Sequence, residues 1–175
     1  MLFTGKGDKG DTGLFGCKQR VSKSSAVAEA LGSMDEINSF LGLIKMKAGE
    51  ETAALIRGIQ HNLFIIQAEL AGAEKTIAPE KVKQLEAVIN GIEQELPPIK
   101  SFFVSGGTEL GAMFDFARTV ARRAERRVVQ VVEGEERKVG EYSRAYLNRL
   151  SSVLYALARQ TNFRAGVKEE PPHYE

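Results

Sequence analysis

From Val27 onward, apolar residues recur as Val27, Leu31, Met34, Ile37, Leu41 and Ile44. This three-and-four spacing lays one apolar face along a helix, which the pattern predicts to end at Ala48-Gly49. A second helix is expected from about Thr52, with Ile56, Ile59, Leu63, Ile66 and Leu70 on one stripe. Gly72 and residues 76–79 break that rhythm. Pro79 suits the first turn of a third helix, where its missing amide is not needed, and Val82, Leu85, Ile89 and Ile92 follow. Leu96-Pro97-Pro98 stops it. Phe102-Phe103-Val104-Ser105-Gly106-Gly107 closes in a glycine pair, and Thr108 is placed to cap a fourth helix. That helix runs through Leu110, Phe114, Ala117, Ala121, Ala124 and Val128 to a polar turn at 133–136. A fifth spans about 139–163, with Leu147, Leu150, Leu154 and Leu157 inward. The fold expected is all-α, an up-and-down bundle of five helices in a single domain. Residues 1–25 form a non-periodic N-terminal segment, 26–163 the bundle, and 164–175 a loose tail; no strand-rich region is evident.

Composition narrows the partners. Lys and Arg total 24 against 23 Asp and Glu, so any basic site must be a local concentration. The expectation is no nucleic-acid and no membrane partner, because no apolar run approaches the ~20 residues of a membrane span. Cys17 is the single cysteine, which excludes an internal disulfide and a cysteine-based zinc site. No basic-then-apolar opening segment suggests secretion, so a cytoplasmic location is expected. His61 and His173 are too scattered for a metal cluster.

Two segments carry candidate chemistry. In the opening segment, Gly5, Gly7, Gly10 and Gly13 permit positive φ angles and can turn successive amides toward one anion. Lys6 and Lys9 add charge, and Thr4 and Thr12 add hydroxyls. The segment lacks the Gly-x-x-x-x-Gly-Lys-Ser/Thr spacing of a P-loop, and alone it also has the composition of a flexible N-terminus. On the fourth helix Arg118, Arg122, Glu125 and Arg126 share one face. Guanidiniums so arrayed repel one another unless anions sit among them, and a triphosphate would offset that through bidentate contacts. Arg123 and Arg127 lie on a neighbouring stripe that solvates the surface. The residues thus suggest a nucleoside triphosphate held between the loop and the arginine-lined helix.

Weaker signals accompany these. Asp35, Glu36 and Asn38 sit beside Met34 and Ile37 on the first helix, where Asp35 can pair with an arginine of its own or a neighbouring chain. Asn148 and Arg149 interrupt the apolar rhythm of the fifth helix; an asparagine near the core needs a partner, either a ligand hydroxyl or a backbone carbonyl. Phe102 and Phe103 are plain core by default, or the aromatic wall of a site for a large flat ligand.

Taken in order, these pieces closely resemble one family. Thr4-x-x-Gly-Asp-Lys-Gly-x-Thr12, Val21-Ser22-Lys23, Asp35-Glu36-x-Asn38-Ser39, Phe102-x-x-x-Gly-Gly-Thr108, Ala117-Arg-Thr-x-x-Arg-Arg-Ala-Glu-Arg126 and Tyr146-Leu-Asn-Arg-Leu-Ser151 follow one another from Phe3 to about Asn162. They are similar to the ATP:cob(I)alamin adenosyltransferases of the propanediol-utilisation type. The resemblance implies a homotrimer with active sites between subunits. It also implies transfer of the 5′-deoxyadenosyl group of ATP to the cobalt of cob(I)alamin, with Mg²⁺ and release of triphosphate. A reductase and a cobalamin-dependent mutase or dehydratase are the implied partners. By position, Thr4, Gly5, Lys6, Gly7, Thr12, Gly13 and Lys23 fall on the family's ATP-binding loop. Arg122, Arg123, Ala124, Glu125 and Arg126 fall on its nucleotide helix, and Asn148 on its ribose contact. Asp35 and Arg118 fall on an intersubunit ion pair, and Phe102 on the aromatic residue closing the lower face of the corrin. The implied catalytic set is Arg122, Phe102, Asp35 and Arg118. The chain departs from the family at Gly5, where a basic residue is common, at Lys6 beside it, at Ser105, where proline is common, and at an apparent one-residue insertion at Gln19. Two competing readings are a non-catalytic ATP- and corrinoid-binding carrier and a nucleic-acid-binding module using the arginines of 118–127.

Overall fold

Ser25 opens the first helix. Its backbone is extended (φ −70°, ψ 153°), and its hydroxyl accepts the Ala28 amide at 3.3 Å, satisfying a donor with no partner inside the helix. Helix α1 spans Ala26–Lys45 and α2 spans Glu50–Leu70. Helix α3 spans Pro79–Glu95, begun by Pro79 and ended at Leu96 before the proline pair. Helix α4 spans Glu109–Glu133, capped by the Thr108 hydroxyl, which accepts the Gly111 amide at 3.0 Å. Helix α5 spans Glu141–Arg164. These observations come from a computed structural model, which describes residues 2–14 and 20–174; Cys17 and Gln19 lie outside the described residues.

Cross-helix bonds fix the directions. Glu29 with Arg127, Glu36 with Arg123 and Lys47 with Glu109 make α1 antiparallel to α4. Asn148 with Glu125 and Asn162 with Thr108 make α4 antiparallel to α5. Glu86 with Arg149 and Glu95 with Arg164 make α3 parallel to α5. Asn62 with Tyr146 and Glu69 with Ser143 make α2 antiparallel to α5. The helices therefore alternate up and down in chain order, as the sequence predicts.

Helix α4 packs on both α1 and α5. Its inward row of Ala117, Ala121 and Ala124, each at most 1% exposed, suits close approach on both sides. Met34, Ile37 and Leu41 from α1, Ile59, Leu63 and Ile66 from α2 and Leu150 and Leu154 from α5 complete the core. Glu69 takes the place of a capping side chain for α5: its carboxylate accepts the Gly140 amide at 2.8 Å and the Ser143 hydroxyl.

Two local features differ from the sequence reading. Strands β1 (Asp11–Gly13) and β2 (Arg20–Ser22) pair antiparallel, Thr12 opposite Val21. Three-residue strands are too short to show alternation. The tail is also not loose: the Val104 amide donates to the Glu170 carbonyl at 2.8 Å, and Glu169 pairs with Arg159.

Candidate functional site

The opening loop is a folded turn. Gly5 and Gly10 take φ of +65° and +83°, conformations that side chains resist. The Asp8 amide donates to the Gly5 carbonyl and the Gly10 amide to the Gly7 carbonyl. The Lys23 amide donates to the Gly10 carbonyl at 2.9 Å, and its ammonium to the Gly7 carbonyl at 2.9 Å. A Cβ at Gly7 would come within 3.1 Å of both the Asp11 carbonyl and that ammonium. Arg20 braces the hairpin with a fork on the Asp11 carboxylate (2.7 and 2.8 Å) and a bond to the Lys6 carbonyl at 2.8 Å. Its hydrogen bonds hold the Asp11 carboxyl below the usual range. Thr4, Lys6, Gly13 and Lys23 are exposed, and Thr12 is half-buried.

The arginine stripe divides into two uses. Arg123 pairs with Glu36 and Arg127 with Glu29 (3.7 Å), so the neighbouring stripe stitches α4 to α1 rather than merely solvating the surface. Ala124 is fully buried in the core row. Arg122, Glu125 and Arg126 instead line a cleft of about 330 Å³ with Val129, Gln130 and Asn148. Asn148 is exposed rather than near the core; it donates to Glu125 at 2.9 Å.

A larger cleft of about 810 Å³ lies on the other side of Arg122. The 102–107 loop, Asp115, Arg118, Tyr155, Arg159 and tail residues 167–170 line it. Phe102 is 81% exposed at its wall, against the default reading of plain core. Behind it, Asn162 anchors the glycine pair: its oxygen accepts the Thr108 amide and hydroxyl (both 2.9 Å), and its nitrogen donates to the Gly106 carbonyl at 2.8 Å. Gly107 (φ +98°) is required there, since a Cβ would meet Asn162 at 2.7 Å. Arg159, its side chain 7% exposed, holds Glu169 and the Pro97 carbonyl and lies 5.4 Å from the Phe103 ring centre. Arg118 lies over Tyr155 and 3.5 Å from Asp115, but its buried Nε has no hydrogen-bond partner among the described residues.

One Arg122 side chain thus borders both clefts. No residue of the opening loop lines either of them, and Asp35, exposed on α1, makes no ion pair with Arg118 within the chain. Arg20, Arg159, Asn162 and the tail are the contributors that the sequence reading did not single out. Arg159 and Asn162 carried a signal: polar residues on the inward row of α5 beside Leu154 and Ala158. Among the described residues no group of three or more His, Cys, Asp or Glu is placed to hold a metal ion, and no helix is long and apolar enough to cross a membrane.

Residues 2–161 match the sequence model of the cobalamin adenosyltransferase family. A corrinoid adenosyltransferase of Bacillus subtilis (strain 168) is 39% identical over 95% of this chain and 89% of that protein. The corrinoid adenosyltransferase PduO of Salmonella typhimurium is 40% identical over 90% of this chain, which spans about half (48%) of that longer protein. Among solved structures, a variant PduO-type ATP:corrinoid adenosyltransferase from Lactobacillus reuteri, complexed with cobalamin and ATP, superimposes with a TM-score of 0.90. It is 30% identical, and the match covers 99% of this chain and 100% of that one.

Proposed function

The chain belongs to the cobalamin adenosyltransferase family, and from that premise we propose that it transfers the 5′-deoxyadenosyl group of ATP to the cobalt of cob(I)alamin. The observation that carries the reading is Arg122, one side chain shared by the smaller, arginine-lined cleft and the larger, aromatic-walled one. ATP occupies the smaller cleft and the corrin the larger, so the 5′ carbon and the cobalt meet beside Arg122. Cobalt(I) supplies the electron pair of the new cobalt–carbon bond; the bond from C5′ to oxygen breaks, and triphosphate leaves with its pair. No protein nucleophile is required. The chain's task is to position two substrates and stabilise charge on the departing oxygens.

Arg122 and Arg126 fit that charge, joined by Lys23 and the amides of Thr4, Gly5, Lys6, Gly7, Thr12 and Gly13. The loop lines neither cleft of its own chain, which supports a site closed by a second subunit. One further feature supports a homotrimer: Asp35 is exposed and makes no ion pair with Arg118 of its own chain, whose Nε is buried and faces Asp115 at 3.5 Å, so the Asp35 carboxylate is open to pairing across a subunit boundary. Exposed Leu43, Phe64 and Phe116 also form apolar surface suited to burial. Mg²⁺ enters as part of the ATP complex, carried by phosphate oxygens. The exposure of Phe102 at the wall of the larger cleft supports a role in excluding a lower cobalt ligand and easing reduction to Co(I). A reductase supplies the electrons, and a cytoplasmic mutase or dehydratase uses the product. The test is an anaerobic mixture of protein, Mg-ATP and chemically reduced cobalamin. The spectrum of adenosylcobalamin with one triphosphate per turnover supports the reading, and tight corrinoid binding without product overturns it.

A further inference from the structure

Four side chains form an unbroken hydrogen-bonded line across three helices. Arg149 Nε donates to Glu86 Oε1 at 2.9 Å, Arg149 Nη1 donates to Asn148 Oδ1 at 2.6 Å, and Asn148 Nδ2 donates to Glu125 Oε1 at 2.9 Å. Asn148 and Glu125 line the smaller cleft, whereas Glu86 and Arg149 do not.

The chemistry of this line is directional. An asparagine amide can rotate by half a turn and exchange its acceptor for its donor at little steric cost. A guanidinium only donates, so Arg149 can bind only Oδ1. An ionised carboxylate only accepts, so Glu125 can bind only Nδ2. The two neighbours therefore select one orientation of the amide, and the flipped one would set donor against donor and acceptor against acceptor. Glu86 in turn holds the guanidinium in place from α3. An exposed asparagine is otherwise free to present either face to a ligand.

We infer that Glu86 and Arg149 are positioning residues for the nucleotide: they fix the amide of Asn148 so that Asn148 and Glu125 meet the ribose hydroxyls with a set pattern of donors and acceptors. This rests on the nucleotide reading of the smaller cleft. Arg149 lines neither cleft and reaches the nucleotide through Asn148, so its effect on substrates falls on the ribose and not on the corrin side.

The experiment compares Arg149→Met, Arg149→Lys, Glu86→Gln and Asn148→Ala with the parent, using ATP and 2′-deoxy-ATP as paired substrates. Arg149→Met is expected to raise the KM for ATP about tenfold and to reduce the preference for ATP over 2′-deoxy-ATP. Its kcat and corrinoid KM stay near the parent's. Arg149→Lys, which keeps a donor for Oδ1, recovers part of the preference, and Glu86→Gln shifts it in the same direction as Arg149→Met by less. An unchanged preference in Arg149→Met and Glu86→Gln, with Asn148→Ala lowering it, overturns the positioning role alone. An unchanged preference in Asn148→Ala overturns the nucleotide reading beneath it. Equal losses toward ATP and corrinoid in the Arg149 and Glu86 variants also overturn the proposal, because a merely structural role would produce them.

Discussion

Arg159 and Glu169 form a two-pronged ion pair that fastens the C-terminal segment to α5 beside the larger cleft. The arginine is the more buried partner, and its hydrogen bonds to Glu169 raise its pKa further. Glu169→Ala leaves the guanidinium with the Pro97 carbonyl alone, which should cost about 2–4 kcal/mol. A lower Tm measures the loss. Arg159→Met combined with Glu169→Leu should recover much of it, since no buried charge is then stranded.

Phe102→Ala should separate the two substrates. The side chain is 81% exposed, so stability should change by no more than about 0.5 kcal/mol. ATP binding should persist while formation of Co(I) and turnover fall. Steady-state kinetics with each substrate varied in turn check this; equal losses on both sides would assign Phe102 a structural role.

Gly107→Ala should disturb the same loop from behind. The new Cβ meets Asn162 at 2.7 Å in a backbone at φ +98°. The expected cost exceeds about 1 kcal/mol, and the corrinoid KM should rise more than the ATP KM. Thermal denaturation and the two KM values are the readouts.

The bundle should weaken at high pH through Tyr146. Burial pushes its hydroxyl up from 10.0 to about 12, partly countered by the bond from Asn62. Above pH 10 the unfolded chain releases this proton while the folded chain retains it, so stability is lost as pH rises toward 12. Tyr146→Phe should flatten that alkaline limb in denaturation measured across pH.

The helices were legible because each buries one stripe, and a stripe of apolar residues writes its period into the chain. The arginine stripe was legible for the same geometric reason, and Asn148 was found, although it is exposed rather than near the core. The β1–β2 hairpin was not, because its strands are three residues long and its order depends on Arg20 reaching Asp11 and the Lys6 carbonyl. The tail was read as loose because its hold comes from side chains and a backbone bond outside any periodic stripe, among them Arg159 with Glu169, Glu95 with Arg164 and Val104 with the Glu170 carbonyl. Such contacts are made by single side chains and leave no periodic pattern. The pairing of Arg123 with Glu36 was likewise invisible, since the two meet only once α1 lies against α4.

Arg122→Ala should lower kcat/KM for ATP by roughly tenfold to a hundredfold, the loss of one charge-assisted phosphate contact. Lys23→Ala should also impair ATP use, through the loop instead of the helix.

Co-expressing these two variants tests the central claim, adenosyl transfer at a site that joins one subunit's loop to another's arginine helix. Mixed oligomers would contain interfaces at which an intact loop faces an intact helix. The account requires the co-purified mixture to form adenosylcobalamin well above either variant alone. A mixture no more active than its parents would place the loop and Arg122 in the same subunit's site and contradict it.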